Sequence, residues 1–75
     1  MKVKITHIPS GFSLVTESIA EGINGIHNLL SLDIHRREDN EKADKFIEML
    51  YNTIYGNSIN CLHSAILIER VKEND

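Results

Sequence analysis

Residues 40–55, with the sequence NEKADKFIEMLYNTIY, carry the clearest structural signal in the chain. Apolar side chains recur there at three- and four-residue steps, the spacing that places them on one face of a helix. They are Ala43, Phe46, Ile47, Leu50, Tyr51 and Ile54. Asp39 or Asn40 suits the N-cap, and Gly56 suits the position just after the last turn. The pattern predicts a helix over residues 40–55.

The following segment, residues 58–71, is apolar on more than one side. Ile59, Leu62 and Ile66 recur at near-helical spacing, whereas the unbroken run at 65–68 is equally typical of a strand with two covered faces. A helix is favoured there, and a strand remains the alternative. The charged tail over residues 69–75 is predicted to fray.

Residues 13–30 carry a second helical stripe. It consists of Val15, Ile19, Ile23, Ile26 and Leu30. Gly22 and Gly25 lie inside it, and each costs a helix interior about 1 kcal/mol relative to Ala. Two glycines therefore indicate either a break in the helix or a closely packed neighbour.

The N-terminal residues 1–11 predict a short strand and a turn. Polar and apolar residues alternate from Lys2 to Thr6, and Pro9, Ser10 and Gly11 follow as turn formers. The predicted fold class is therefore mainly α. We expect one small domain over residues 1–75, with a short N-terminal strand followed by about three helices. These would form a compact bundle that is completed by oligomerisation.

Composition excludes several classes of protein. With 75 residues, 41% apolar residues and a net charge of −3, the chain is too short for a two-domain enzyme, a doubly wound nucleotide-binding fold or a barrel. One cysteine, Cys61, allows no intrachain disulfide and favours the reducing cytoplasm. No apolar window approaches the ~20 residues of a membrane span. The acidic balance disfavours nonspecific binding to nucleic acid.

The reactive side chains do not form a recognisable catalytic or metal-binding pattern. Cys61 and His63 are two residues apart, which on a helix places them on opposite sides, so no enzyme is predicted. The other histidines are His7, His27 and His35. None of them has a zinc-ligand spacing, so no metal or cofactor is predicted. One alternative remains: a small metal- or nucleotide-binding protein that uses the histidines and Arg36–Arg37 at an oligomer interface.

Two features resemble nucleic-acid-binding proteins. Residues 22–25, Gly-Ile-Asn-Gly, have the G-x-x-G form of the loop in KH modules. A strand, a proline and then helices resemble the plan of ribbon–helix–helix repressors, which dimerise through the strand and lay it in the major groove. The second resemblance implies a dimeric DNA-binding transcriptional regulator as the alternative function. Its candidate contacts are Lys2, Lys4, Thr6, Arg36 and Arg37.

Tyr51 and Tyr55 lie one turn apart on the predicted helix, and tyrosine is enriched at protein interfaces. With Met49 and Ile59 they form the predicted patch for docking a partner protein. Core packing of Tyr51 is the alternative interpretation. The leading expectation is a non-enzymatic regulator, adaptor or inhibitor that binds another protein and acts as a homo-oligomer.

Overall fold

A computed structural model describes residues 1–72, which form a four-stranded antiparallel sheet with two helices packed on one face. The elements are β1 (Val3–His7), β2 (Ser13–Thr16), α1 (Ile19–Leu30), α2 (Arg37–Ile54), β3 (Asn60–His63) and β4 (Ile66–Arg70). The strand order is β2-β1-β4-β3. The prediction of a mainly helical bundle is therefore wrong.

The N-terminal hairpin confirms the predicted strand and adds β2, which the prediction had placed in a helix. Ile5 pairs with Leu14, and both side chains point towards the helices. Gly11 occupies the turn at φ 75°, a conformation that glycine adopts without strain. The four residues of β2 were missed because Val15 and Ile19 have the i,i+4 spacing that also fits a helix.

Helix α1 begins after Ser18, whose hydroxyl accepts a hydrogen bond from the Glu21 N–H (3.3 Å). The two glycines do not break the helix. A Cβ atom on Gly22 would lie 3.1 Å from both Leu50 methyl carbons and 3.2 Å from Ile5 Cδ1, so α1 packs closely on its neighbours at this point. Of the two explanations that the sequence offered for these glycines, a helix break or a closely packed neighbour, the second is correct.

The predicted helix at 40–55 is confirmed as α2, although it begins earlier, at Arg37. Asp39 and Asn40 do not cap it. Instead, they hold the preceding loop: Asp39 Oδ2 accepts from the Asp33 N–H (2.8 Å), and Asn40 Nδ2 donates to the Ile34 carbonyl (2.6 Å). The N-cap residue is Arg36, which makes no capping hydrogen bond through its side chain.

A second hairpin, β3–β4, replaces the helix predicted over residues 58–71. Its two-residue turn consists of Ser64 (φ 49°) and Ala65 (φ 64°), both left-handed. Glu69 belongs to β4, so the expected tail begins later than residue 69. Residues 73–75 of that tail lie outside the described residues.

The core lies between the helices and the inner face of the sheet. Its fully buried apolar side chains are Val3, Ile5, Ile26, Phe46, Leu50, Ile66 and Ile68. They come from both central strands and both helices of one chain. A second copy is not needed to close this core, which contradicts the expectation that oligomerisation completes it.

Arg70 joins the second hairpin to the end of α2. Its Nε donates to the Thr53 carbonyl (3.0 Å), and its Nη2 donates to the Gly56 carbonyl. Helix ends leave such carbonyls without partners inside the helix, and a cation is favoured beside them. Arg70 thereby fixes α2 over β4 and β3.

Candidate protein-binding surfaces

Helix α2 and its C-cap residue expose Ile47, Tyr51 and Tyr55, which we call the aromatic stripe. These residues follow one another at four-residue steps on the solvent side of the helix. Tyr51 is 57% exposed and Tyr55 is 65% exposed. Their ring centroids lie 5.4 Å apart at an interplanar angle of 55°. The two rings therefore form one continuous exposed surface at the C-terminal end of α2.

The structure unites only part of the predicted docking patch. Tyr51 and Tyr55 lie together, but Met49 is buried in the core and cannot contribute to an exposed patch. Ile59 is exposed, yet it belongs to the edge of the sheet, where its carbonyl accepts from the Arg70 N–H (3.0 Å). Ile47 was missed because its spacing also fits the buried face of the helix.

Acidic side chains flank the aromatic stripe. Asp44 lies three residues before Ile47, and Glu48 lies three residues before Tyr51, so each acid is a neighbour on the helix surface. Both acids are exposed. Glu48 forms a long ion pair with Lys45, at 3.9 Å. The stripe thus combines an apolar, aromatic centre with a negative border.

The second surface is the outer side of β3, together with the preceding Ile59, which we call the β3 edge. Residues 49–68 contain no Asp, Glu, Lys or Arg. The Arg70 N–H bonds to the Ile59 carbonyl, and antiparallel pairs alternate in their hydrogen bonding. The N–H and C=O groups of Asn60 and Leu62 therefore point away from the sheet.

The sheet face opposite the helices is uncovered. Leu62 of β3 lies directly across from Leu67 of β4 on this face, and Lys4 lies across from Glu69. Leu62 is 65% exposed. The apolar part of the open face therefore adjoins the β3 edge, whereas its centre is a pair of opposite charges.

The five candidate nucleic-acid contacts do not form one patch. Lys2, Lys4 and Thr6 belong to the uncovered sheet face by strand alternation, whereas Arg36 and Arg37 lie at the start of α2, in the layer on the other face. The Arg37 guanidinium contacts the Glu41 carboxylate at 3.4 Å. The basic residues are thus divided between two sides of the molecule.

The two resemblances to nucleic-acid-binding proteins do not extend to the fold. Strand β1 is hydrogen-bonded to β2 on one side and to β4 on the other, so it has no open edge with which to form an intermolecular ribbon. The ribbon–helix–helix plan is wrong for this reason. Residues 22–25 lie inside α1 and form no loop.

Cys61 and His63 share the inner face of β3 and pack against α2. Cys61 Sγ lies 3.7 Å from Thr53 Oγ1. Since the Thr53 hydroxyl donates its one proton to the Met49 carbonyl (2.8 Å), the Cys61 thiol is the donor in that contact. The His63 ring stands edge-on to Phe46, with centroids 5.4 Å apart. Both side chains are thus held by packing contacts.

The remaining histidines lie on different elements: His7 at the end of β1, His27 in α1 and His35 in the loop before α2. His7 Nδ1 is 2.7 Å from the Ser10 hydroxyl in the first turn. Within residues 1–72, no group of three or more His, Cys, Asp or Glu side chains is placed to hold a metal ion.

Comparison with known proteins adds no family. No protein-family model matches the chain, no curated protein matches its sequence, and no solved structure matches its fold. In the part of the chain that the structure describes, neither helix has the length and apolar character needed to cross a membrane.

Proposed function

We propose that this protein is a small, non-enzymatic regulator or adaptor that docks another protein on its aromatic stripe and acts as a homo-oligomer. The exposed pair Tyr51 and Tyr55 carries this proposal. Tyrosine offers a large apolar surface and a polar tip, and it is over-represented among the residues that dominate binding energy. A helix presents such side chains with little loss of conformational freedom on binding.

The partner that suits this surface is a protein with an apolar groove bordered by Lys or Arg. A helix stripe at four-residue steps fits a hydrophobic groove, as in other helix-in-groove complexes. The exposed Asp44 and Glu48 beside the stripe favour a basic rim. The net charge of −3 favours encounter with the same class of partner.

The single cysteine supports placing the protein in the cytoplasm. Cys61 is a free thiol in contact with Thr53, and free thiols persist in reducing compartments. Its role as a donor to a structural threonine supports a packing function rather than a nucleophilic one.

The test compares two double variants with the wild type. Tyr51→Ser with Tyr55→Ser removes the stripe, whereas Ile8→Ser with Phe12→Ser removes two exposed apolar side chains from the first hairpin. Each protein is used for affinity capture from the cells that produce it, and the captured protein is then purified and titrated calorimetrically. We expect the tyrosine variant to bind at least about tenfold more weakly, with the hairpin variant unchanged.

The charge argument has its own variant, Asp44→Lys with Glu48→Lys. It is expected to slow association with the purified partner and to reverse the salt dependence of that rate. The proposal is overturned if no protein is captured in a stripe-dependent manner, or if the tyrosine variant binds the partner as tightly as the wild type.

A further inference from the structure

The β3 edge is an unprotected strand edge. Native sheets usually block such edges with charged side chains, prolines or bulges, because an open edge pairs with other strands. Residues 49–68 provide no charge and no proline. Two N–H and two C=O groups, on Asn60 and Leu62, point outwards along β3. This edge is therefore ready to accept one more strand.

We propose that β3 pairs antiparallel with β3 of a second copy, about a two-fold axis at Cys61, which joins the two sheets into one. In this register, Asn60 of each copy exchanges both backbone hydrogen bonds with Leu62 of the other. All the outward groups of both strands are then satisfied. The inference rests on the self-association included in the proposed function and specifies its interface.

Neighbouring registers satisfy fewer backbone groups. Shifting the axis to Asn60 would require the Ser58 N–H, which already donates to the Asn52 carbonyl (3.2 Å). Shifting it to Leu62 would require Ser64, which is in the left-handed turn conformation and outside the strand. The axis at Cys61 is thus selected by the hydrogen bonding of the monomer itself.

The same register covers exposed apolar side chains. Ile59 is 70% exposed in the single chain, and the register places it opposite His63 of the second copy, whose ring already packs on Phe46. The two Leu62 side chains become diagonal neighbours on the open sheet face, about 7–8 Å apart at the backbone. Pairing therefore buries apolar surface as well as satisfying hydrogen bonds.

The helices can accommodate the paired sheet. Helix α2 lies over β4 and β3, so strands spaced by about 4.8 Å bring the two α2 helices to about 10 Å from each other, a normal packing distance. The α2 residue in contact with Cys61, at the proposed axis, is the uncharged Thr53. The charged α2 residues Glu38, Glu41, Lys42 and Lys45 lie around His63, away from the axis. Tyr55 lies on the opposite side of α2 from Phe46, so the aromatic stripe remains exposed in the dimer.

Two matched variants test the interface. Leu62→Lys places a charge on the β3 edge, and Val15→Lys places one on β2, the other outer strand; both wild-type side chains are more than half exposed, so the fold tolerates either change. Mass is measured by light scattering and sedimentation at high micromolar concentration. We expect a wild-type dimer, a dissociation constant raised roughly tenfold or more by Leu62→Lys, and no such change for Val15→Lys.

Oxidation with diamide tests the register, since diamide takes the two electrons and two protons as two thiols form a disulfide. Cys61 and its copy would face each other in a non-hydrogen-bonded pair, within the Cα separation that disulfides span. We expect a covalent dimer that Leu62→Lys suppresses. A dimer that survives Leu62→Lys, or one that yields no cross-link, overturns the β3 interface but leaves self-association intact. A monomer at high concentration overturns both.

Discussion

Each hairpin contributes one outer strand of the sheet, β2 or β3, and these two strands are equal in length. The hairpins differ in their turn residues and in the side chains that neighbour the outer strand. The β1–β2 turn uses Gly11 where a positive φ is required, whereas the β3–β4 turn uses Ala65. On the open face, Val15 of β2 lies beside the charged Lys4, whereas in β3 Asn60 lies beside Glu69 and Leu62 lies beside Leu67. Both outer strands thus have a charged neighbour, but only β3 has an apolar pair, and along the chain Glu17 directly follows β2 whereas no charged residue lies within residues 49–68.

This difference is the basis for the form of self-association that we propose. If both edges were open, copies would add at each side and form fibres, whereas a single open edge closes with its own copy around a two-fold axis. Because Glu17 directly follows β2 and residues 49–68 around β3 carry no charge, we expect pairing at β3, and therefore a dimer rather than continued growth. Substitutions that remove the anchor of either hairpin, or the strain in its turn, test the difference between the two hairpins.

The largest effect is expected at Arg70, which anchors the second hairpin to α2. Arg70→Met keeps the apolar stem but removes the donors to the Thr53 and Gly56 carbonyls. Hydrogen bonds from a charged, partly buried group contribute about 1.5–3 kcal/mol, so we expect a loss of about 2 kcal/mol. Urea unfolding at low protein concentration, where the chain is monomeric, measures it.

Thr16→Val is the corresponding change at the first hairpin. Thr16 donates to the Glu21 carboxylate (2.9 Å) and accepts from the Ser18 N–H (3.0 Å). Glu21 is exposed, so water can replace part of this interaction, and we expect a loss of about 1 kcal/mol. If Thr16→Val destabilises the protein more than Arg70→Met does, the Arg70 hydrogen bonds to α2 are not the main anchor of the second hairpin.

A smaller effect of opposite sign is expected from Ala65→Gly. The left-handed conformation costs a residue with a Cβ about 1–2 kcal/mol, and glycine removes this cost. Part of the resulting stabilisation is lost because glycine has greater conformational freedom in the unfolded chain. The free energy of unfolding should rise by about 0.5–1 kcal/mol. Ala20→Gly, at an exposed position in the first turn of α1, is the control and should lower the free energy of unfolding by less than the ~1 kcal/mol of a helix-interior site. A loss of stability in Ala65→Gly would show that the turn is not strained.

The fold was predictable where local signals were complete. Strand β1 is followed by Pro9 and Gly11 in the turn, and α2 has a broad apolar face over five turns, so both were predicted correctly. The β3–β4 hairpin was not predicted as a hairpin because Ser64 and Ala65 give no turn signal, although they adopt the conformation that Asn-Gly usually supplies. Its apolar run at 65–68 kept the strand alternative open.

The candidate site was predictable only in part. The spacing of Tyr51 and Tyr55 indicated a shared surface, but spacing alone did not show that Met49 is buried and Ile47 partly exposed, since that depends on where α1 and β3 pack. The β3 edge was not predictable because an edge is defined by strand order. Only the pairing of β4 between β1 and β3 places Asn60 and Leu62 at the boundary of the sheet.

Amide hydrogen exchange as a function of protein concentration tests the β3 interface most directly. The outward N–H groups are those of Asn60 and Leu62 on β3 and those of Ser13 and Val15 on β2, because His7 N–H bonds to the Phe12 carbonyl. We predict that the Asn60 and Leu62 amides become protected as concentration rises, whereas the Ser13 and Val15 amides exchange rapidly throughout. Equal, concentration-independent exchange at both edges would contradict the account.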